Sequence, residues 1–312
     1  MKKIVLLSIV SFFLINLSFS QQLPMYSQYM NNKFLLNPAV AGSEDYIPIR
    51  LTARQQWVGI DGAPSTQALS GNFLLGNKNM GVGGYVFSDK FGIDSKIGIQ
   101  GSFSYILDLG LWDSKLALGL SVMAFQYTFN TEGTIVTDAN DPSVINNYGS
   151  SAFVPDANFG AYWHNDEFFF GASANQLVEF KVDFQNDLDA SENTLQRHFF
   201  VMGGYKFKVS KEIDIEPSSL IKITATSPID FDLNVKGYYK KNYWFGVSYR
   251  TGVYEDMEHS TIAMIGAKYK HIVFGYAFDY QFSNINNYTF GTHEIMIGYN
   301  LGETVKKGSS LL

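Results

Sequence analysis

The stretch from His271 to Tyr280, His-Ile-Val-Phe-Gly-Tyr-Ala-Phe-Asp-Tyr, decides the fold of this chain. Its even-numbered positions are large and apolar or aromatic, whereas its odd-numbered positions are small or polar. Successive side chains of a β-strand point to opposite faces, so each set occupies one face. The outer strand face of a water-soluble protein would carry charges. Here one face is aromatic, and we therefore expect it to face lipid while the small set faces a lumen.

The same alternation recurs along most of the chain. We count about fourteen such segments: 48–56, 66–75, 80–89, 95–107, 115–127, 157–164, 167–174, 197–207, 213–223, 231–240, 242–250, 260–269, 271–281 and 291–300. Most have roughly the 9–11 residues that a tilted membrane strand requires. An even number of antiparallel strands can close without leaving an unpaired edge in lipid. The sequence thus predicts an all-β fold, a transmembrane antiparallel β-barrel of about 14 strands, with a secreted, water-soluble β-sandwich as the alternative.

The first twenty residues predict export from the cytoplasm. Two lysines precede an apolar stretch from Ile4 to Leu17, and the small residues Ser18 and Ser20 follow. This order is typical of a secretory signal peptide, which we place at residues 1–20. No later window contains the roughly 18 apolar residues that a membrane helix needs. An exported chain built from aromatic strands indicates a multi-pass protein of the bacterial outer membrane.

Composition and motif spacing exclude several classes of function. The chain of 312 residues has no cysteine, which excludes disulfides, thiol nucleophiles and cysteine-ligated zinc. Its formal net charge of −6 argues against a nucleic-acid partner. The histidines lack metal-ligand spacing, and no spacing marks a Ser–His pair. Gly81-Val-Gly83-Gly84 lies within a strand pattern rather than before a helix, so it is not a nucleotide loop. We therefore expect neither enzymatic activity nor a cofactor.

Two long polar connections are candidates for partner contacts. Short turns usually face the periplasm and long loops the outside, and both 128–156 and 175–196 follow odd-numbered strands. They are therefore expected on the outer side. Aromatic side chains among polar residues suit a protein interface. The candidates in these two connections are Tyr148, Phe153, Phe180 and Phe184.

The segment 21–45 lacks the alternation of a strand. It contains Pro24 and Asn37-Pro38, with apolar residues between them. It could hang in the periplasm or fold into the lumen as a plug, and we favour the plug because its apolar side chains would otherwise be exposed to water. The expected domains are thus the plug, a barrel from 46 to 302 and a tail from 303 to 312.

Six charged residues fall on predicted lumen-facing positions. An Arg or Lys facing lipid at mid-membrane would cost about 2–4 kcal/mol, so charges belong inside. One interpretation is a mutually paired network that fills the lumen and braces the plug, and the other is a path for a substrate or an ion. We expect Arg54, Asp279 and Glu294 to share one network. The whole set comprises Arg54, Asp232, Lys236, Arg250, Asp279 and Glu294.

Several short motifs occur in a fixed order along the chain. The most specific pair is Asn37-Pro38-Ala39-Val-Ala41-Gly42 with Arg54-Gln-Gln-Trp57. Further motifs span nearly the whole mature chain. They are Gln22-Leu-Pro24-Met-Tyr26-Ser-Gln28-Tyr29-Met-Asn-Asn32, Gly62-Ala-Pro64-Ser-Thr66, Glu216-Pro217-Ser218, Trp244-Phe-Gly246-Val-Ser-Tyr249-Arg250, Gly275-Tyr276-Ala-Phe-Asp279-Tyr280 and Gly291-Thr-His293-Glu294-Ile295. Together and in this order, these motifs resemble the PorP/SprF family of type IX secretion membrane proteins. The motif residues Asn37, Pro38 and Trp57 complete the set that we expect in the lumen and plug.

The resemblance implies a fourteen-stranded barrel similar in shape to FadL-type fatty-acid transporters. It also implies a role in type IX secretion and gliding, namely export or surface anchoring of a large adhesin that carries a C-terminal sorting domain. The expected partners are that adhesin, the periplasmic ring or lipoproteins of the secretion apparatus, and outer-membrane lipid. By fold analogy alone, the second hypothesis is a FadL-like transporter of hydrophobic small molecules.

Overall fold

The computed structural model describes residues 23–76, 79–129, 150–180, 195–224, 229–252 and 259–303. The expected signal peptide at 1–20 lies outside the described residues. The same is true of most of the tail, and of parts of both long connections, including Tyr148 and Phe184. Their predicted roles are taken up as proposals below.

Fourteen antiparallel strands close into a barrel, which confirms the predicted fold. Each strand pairs with the next, and the last strand pairs with the first, from Ile47 opposite Leu301 to Gln55 opposite His293. The described helices are short 3₁₀ turns, and none is long and apolar enough to cross a membrane. The strands are β1 (Ile47–Gln55), β2 (Ser65–Leu74), β3 (Met80–Phe91), β4 (Asp94–Asp108), β5 (Lys115–Phe129), β6 (Ser150–His164), β7 (Phe168–Asn175), β8 (His198–Tyr205, continued by Phe207–Lys208), β9 (Ile213–Thr224), β10 (Asp230–Tyr239), β11 (Tyr243–Gly252), β12 (Ser260–Tyr269), β13 (Ile272–Gln281) and β14 (Thr292–Leu301).

Burial alternates along the strands as the sequence pattern requires. On β13, Ile272 and Phe274 are exposed on the outer wall, whereas Val273 and Ala277 are buried. The outer wall is apolar because it must meet hydrocarbon, and the inner wall is polar because it does not. The two faces predicted for this strand are therefore confirmed.

Strand β6 begins earlier than predicted, at Ser150 rather than at 157. The sequence predicts a long polar connection at 128–156, and this stretch contains Pro155, which cannot donate a ladder hydrogen bond. In the structure Pro155 pairs with Ala124 of β5, while β7 pairs with β6 only from Phe159 onward. The first half of β6 is therefore an edge, where proline is tolerated. Phe153 accordingly lies on a strand and faces outward, so its placement in an outer loop was wrong.

The two ends of the barrel differ in their connections. Both the start of β1 and the end of β14 lie at the end that carries the turns 109–114, 165–167, 240–242 and 270–271. We call it the periplasmic edge, because short turns face the periplasm in such barrels. The opposite, outer edge carries the longest connections, including 282–291.

The N-terminal segment, residues 23–46, runs along the inner wall from one edge to the other. Leu23 and Pro24 lie beside His198 and Thr224 near the outer edge. The segment then forms three 3₁₀ turns, Tyr29–Asn31, Lys33–Leu35 and Pro38–Val40, before it enters β1 at the periplasmic edge. Its apolar side chains pack against buried residues of the wall.

Candidate functional site in the barrel lumen

Arg54 lies at the centre of a buried charge cluster in the outer half of the lumen. Its guanidinium is 3.2 Å from a carboxylate oxygen of Asp279 and 3.7 Å from one of Glu294. The three residues come from β1, β13 and β14, which are neighbours around the barrel, and the register pairs Arg54 directly with Glu294. All three side chains are almost completely shielded from solvent. The structure thus brings together the three residues for which the sequence predicts one network.

Arg250 extends the cluster to the next strands. It contacts both carboxylate oxygens of Asp232, at 2.8 and 3.1 Å, and also Asp279 at 3.4 Å. Lys222 lies 3.2 Å from Asp232. Lys222 was absent from the sequence-based set, because the alternation of β9 is weaker than that of its neighbours. The cluster then holds three cations and three carboxylates, so its formal charges cancel, and cancellation offsets the large cost of burying each one alone.

The charge cluster also anchors the N-terminal segment. The backbone amides of Ser27 and Gln28 donate to the two carboxylate oxygens of Glu294, at 2.6 and 2.8 Å. Arg54 donates to the hydroxyl of Ser27. Gln28 also donates to the backbone carbonyl of Glu294 at 3.2 Å. Charge-assisted hydrogen bonds of this kind are roughly twice as strong as neutral ones. Gln28 and Ser27 belong to a sequence motif, but no periodicity pointed to their contact with Glu294.

Lys236 lies apart from the charge cluster, in the middle of the lumen. Its ammonium donates to the side-chain oxygen of Asn31 at 2.7 Å and lies over the ring of Tyr238. Lys236 lies four positions beyond Asp232 on β10, which is roughly 13 Å along a strand. The sequence-based set therefore divides into an outer charge cluster and a separate contact with the N-terminal segment.

Asn37 and Pro38 lie nearer the periplasmic edge, where the N-terminal segment contacts the inner wall. The side chain of Asn37 accepts the amide of Ala39 at 2.9 Å and donates to the carbonyl of Ala161 at 2.9 Å. Pro38 begins the third 3₁₀ turn, where its fixed φ is compatible with the helix. Gly119 and Gly160 face this turn, and a Cβ at either position would overlap it. Glycine in these strands therefore permits a close backbone approach.

Trp57 lies outside the lumen cluster, in the connection between β1 and β2 at the outer edge. Its indole nitrogen donates to Gln281 at 2.6 Å and its backbone amide to Thr292 at 3.2 Å. Its φ of +47° is unusual for a large side chain. Trp57 thus joins this connection to β13 and β14, whereas the sequence predicts it in the set of lumen and plug residues.

The cavities beside the N-terminal segment differ in size between the outer half of the lumen and the periplasmic edge. Two cavities of about 40 and 50 Å³ lie beside Leu23 and Pro24 in the outer half. A wider vestibule of about 1260 Å³ opens at the periplasmic edge, lined by Trp163, Lys33 and Glu216 among others. Glu167 lies on its rim, where hydrogen bonds from Lys208 at 3.0 Å and from Tyr205 lower the pKa of its carboxyl. No group of three or more His, Asp or Glu side chains in the described part of the chain is arranged to hold a metal ion.

The exposed aromatic side chains are mostly not those that the sequence suggested. Phe180 is half-buried against the cluster around Leu195. Tyr288 and Phe290, in the outer connection 282–291, are each 78% exposed. Trp112, in a periplasmic turn, is 66% exposed and stacks on Trp163 with 6.0 Å between ring centroids. These three were missed because they lie in connections without periodicity.

Comparison with known proteins identifies both fold and family. The solved structures of the CymD monoaromatic hydrocarbon channel (13% identity, 90% of this chain and 93% of that one covered, TM-score 0.50) and of the toluene transporter TbuX from Ralstonia pickettii (8% identity, 86% and 92%, TM-score 0.51) have similar barrels. No curated protein matches the chain significantly. The family model described as type IX secretion system membrane protein PorP/SprF matches residues 18–299. The barrel and the family place the protein in the outer membrane, and the chain belongs to the PorP/SprF family of type IX secretion system membrane proteins.

Proposed function

We propose that this protein is a non-enzymatic component of the type IX secretion and gliding machinery that acts through its two exposed edges rather than through its lumen. The observation that carries this proposal is the N-terminal segment, which occupies the lumen and is held there by Glu294 and Arg54. In this proposal residues 1–20 are removed as a signal peptide and residues 21–45 act as a plug. The outer edge holds a large adhesin with a C-terminal sorting domain, and the periplasmic edge contacts the ring or lipoproteins of the apparatus.

The outer edge offers Tyr288 and Phe290 for contact with cargo. The backbone of Phe290 is fixed to Val58 by a hydrogen bond of 2.8 Å, whereas its ring is free. A rigid aromatic side chain on a fixed backbone loses little entropy on binding, which suits an interface anchor. The long connections containing Tyr148 and Phe184 leave from the same edge.

The periplasmic edge offers Trp112 for contact with the apparatus. The amide of Ser114 donates to the carbonyl of Leu111 at 3.0 Å, and Trp112 and Asp113 between them both have positive φ. Glycine or asparagine would fit this turn with less strain. Trp112 stacks on Trp163, yet most of its ring stays exposed at a strained position, and this combination favours a role in binding.

The second hypothesis, a transporter of hydrophobic small molecules, has less support. CymD is described as a monoaromatic hydrocarbon channel and TbuX as a toluene transporter, but at such low identity the likeness concerns the fold alone. Ligand pockets usually measure roughly 300–1,000 Å³. The cavities of about 40 and 50 Å³ in the outer half are far smaller, and the charge cluster lies beside them.

A pair of edge variants tests the proposal. Tyr288→Ala with Phe290→Ala should reduce display of one adhesin on the cell surface, because the outer anchors are removed. Trp112→Gly should reduce co-purification of periplasmic apparatus components, while it relieves strain in the turn and leaves folding intact. Each variant is the control for the other. Surface proteomics, affinity purification and uptake of a labelled fatty acid should be measured in the same strains.

The outcomes separate the two hypotheses. Selective loss of one adhesin from the surface with normal fatty-acid uptake supports the proposal. An unchanged surface proteome together with impaired uptake in a strain lacking the protein would make the transporter hypothesis the better one.

A further inference from the structure

We propose that the outer wall of the barrel, at the periplasmic edge over β9–β13, binds an anionic phospholipid of the inner leaflet. One acyl chain would occupy a hollow in the wall, and the headgroup would contact lysines of the turns below it. This site is independent of the cargo and of the lumen.

The hollow arises because two small residues lie among large ones on the lipid-facing wall. Its volume is about 580 Å³. Gly237 and Ala267 form the floor, and a Cβ at Gly237 would meet only the backbone oxygen of Phe245, at 3.9 Å. The walls are Ile213, Phe245, Ile265 and Phe274. An apolar hollow at membrane depth is filled by hydrocarbon, since water there would be costly.

The turns beneath this hollow are rich in lysine. Lys240 and Lys241 form the tip of the β10–β11 turn, Lys270 lies in the β12–β13 turn, and Lys211 precedes β9. All four are exposed. Gly237 is two residues from the end of β10, roughly 7 Å along the strand, so one lipid can reach from the hollow to these ammonium groups. Glu212 partly balances Lys240 at 3.7 Å, which leaves the group with a net positive charge.

Two described turns on the other side of the barrel differ from these lysine-bearing turns, although Lys115 follows the first of the two directly. The turns 109–114 and 165–167, on the other side of the barrel, contain Asp113, Asp166 and Glu167 and no lysine. A uniform solubilising surface would mix both signs around the edge. Basic residues beside a membrane surface attract anionic headgroups, so the charge complements an anionic lipid rather than a zwitterionic one.

Backbone geometry gives an independent argument for these lysines. Lys240, Lys241 and Lys270 have φ values of +51°, +59° and +54°. This left-handed region favours glycine and asparagine, and hairpin turns of this kind usually contain Asn-Gly. Lysine at three strained positions weakens the turns, which supports a use for the charge itself.

The test uses the full chain in detergent, with dioleoylphosphatidylglycerol and dioleoylphosphatidylcholine as probes and native mass spectrometry as readout. The wild type should retain phosphatidylglycerol in preference to phosphatidylcholine. The triple variant Lys240→Asn, Lys241→Gly, Lys270→Asn relieves the strained turns and removes three charges. Its affinity for phosphatidylglycerol should fall by about fivefold per lysine, roughly 100-fold in all. Its unfolding temperature should be unchanged or higher.

A second variant tests the hollow itself. Gly237→Leu should weaken binding of both lipids by at least about tenfold, because the side chain displaces several methylene groups of the acyl chain. Gly101→Leu is the matched control, since Gly101 also faces outward, has nothing within 4 Å of its Cβ position and lies far from the lysines.

Three results would overturn the proposal. They are equal retention of both lipids by the wild type, unchanged affinity in the triple variant, and identical lipid binding by Gly237→Leu and Gly101→Leu. Loss of a co-purifying protein from Gly237→Leu, with lipid binding intact, would assign the hollow to a protein and also overturn it.

Discussion

At the residue scale, the sequence pattern predicts the strand face on which each luminal charge lies, but not which charge it pairs with. The alternation of β1, β13 and β14 places Arg54, Asp279 and Glu294 on inward faces, and the high cost of a charge in lipid makes this placement secure. Which charges pair depends on register and on neighbouring strands. Lys236 shares a strand face with Asp232 but contacts Asn31 instead, because its height in the barrel is different.

Removing Arg54 should strongly destabilise the protein. In Arg54→Ala the carboxylates of Asp279 and Glu294 stay buried with one partner fewer, which costs about 3–5 kcal/mol. Unfolding by denaturant, followed by tryptophan fluorescence, measures this loss. Arg197→Ala is the control, since Arg197 pairs with Glu179 at 3.0 Å on a half-exposed surface, and such pairs contribute about 0–1 kcal/mol. Equal denaturation midpoints for wild type and Arg54→Ala would show that the network contributes nothing.

At the element scale, the N-terminal segment depends on glycines in the wall. Ala39 touches β5 where Gly119 leaves room, and Ala41 approaches Gly81 of β3 in the same way. The sequence pattern placed Gly81 within a strand, without showing what approaches it. The contact joins residues that are far apart in the chain, so no local pattern reveals it.

A side chain at Gly119 should expel or strain the N-terminal segment. Gly119→Val should destabilise the protein by about 1–3 kcal/mol, as overpacking does, because the added atoms overlap the backbone of Ala39. Gly101→Val on the adjacent β4 is the control, since its Cβ position is open. A comparison of the two midpoints of unfolding tests the close approach, which is refuted if the two variants are equally stable.

Deleting residues 23–42 should convert the barrel into a channel. The segment occupies the lumen and carries no strand pairing, so its removal leaves the closed sheet intact. Single-channel recording in planar bilayers should show ion conductance for the deletion and little for the full chain. A silent deletion variant that still forms a barrel would argue against the plug.

At the scale of the whole molecule, closure is the property with the clearest physical signature. Every strand has two partners, so no edge is left in lipid. We expect migration on detergent gels to change on heating, because a closed barrel resists unfolding until it is boiled. The protein should also stay in the pellet after carbonate extraction. Release into the soluble fraction would contradict insertion in the membrane.

The sequence by itself determined the barrel, the number of its strands and the inward placement of its charges. These follow from a period of two and from the cost of burying polar groups in lipid, both of which are local properties. The segment 260–269, for example, was predicted with the bounds that β12 has in the structure. The start of β6 was predicted wrongly, at 157 rather than at Ser150, because residues 150–156 lie in a polar stretch whose pairing with β5 no local pattern reveals.

Only the tertiary structure decided which charges pair, that Glu294 holds the backbone of Ser27 and Gln28, and that Gly237 lies beneath a hollow beside Lys240 and Lys270. These contacts join residues as many as 267 positions apart. They depend on register, shear and closure of the whole sheet, which set the height and the neighbours of each side chain. Periodicity fixes the face of a strand on which a residue lies, but closure fixes what it meets there.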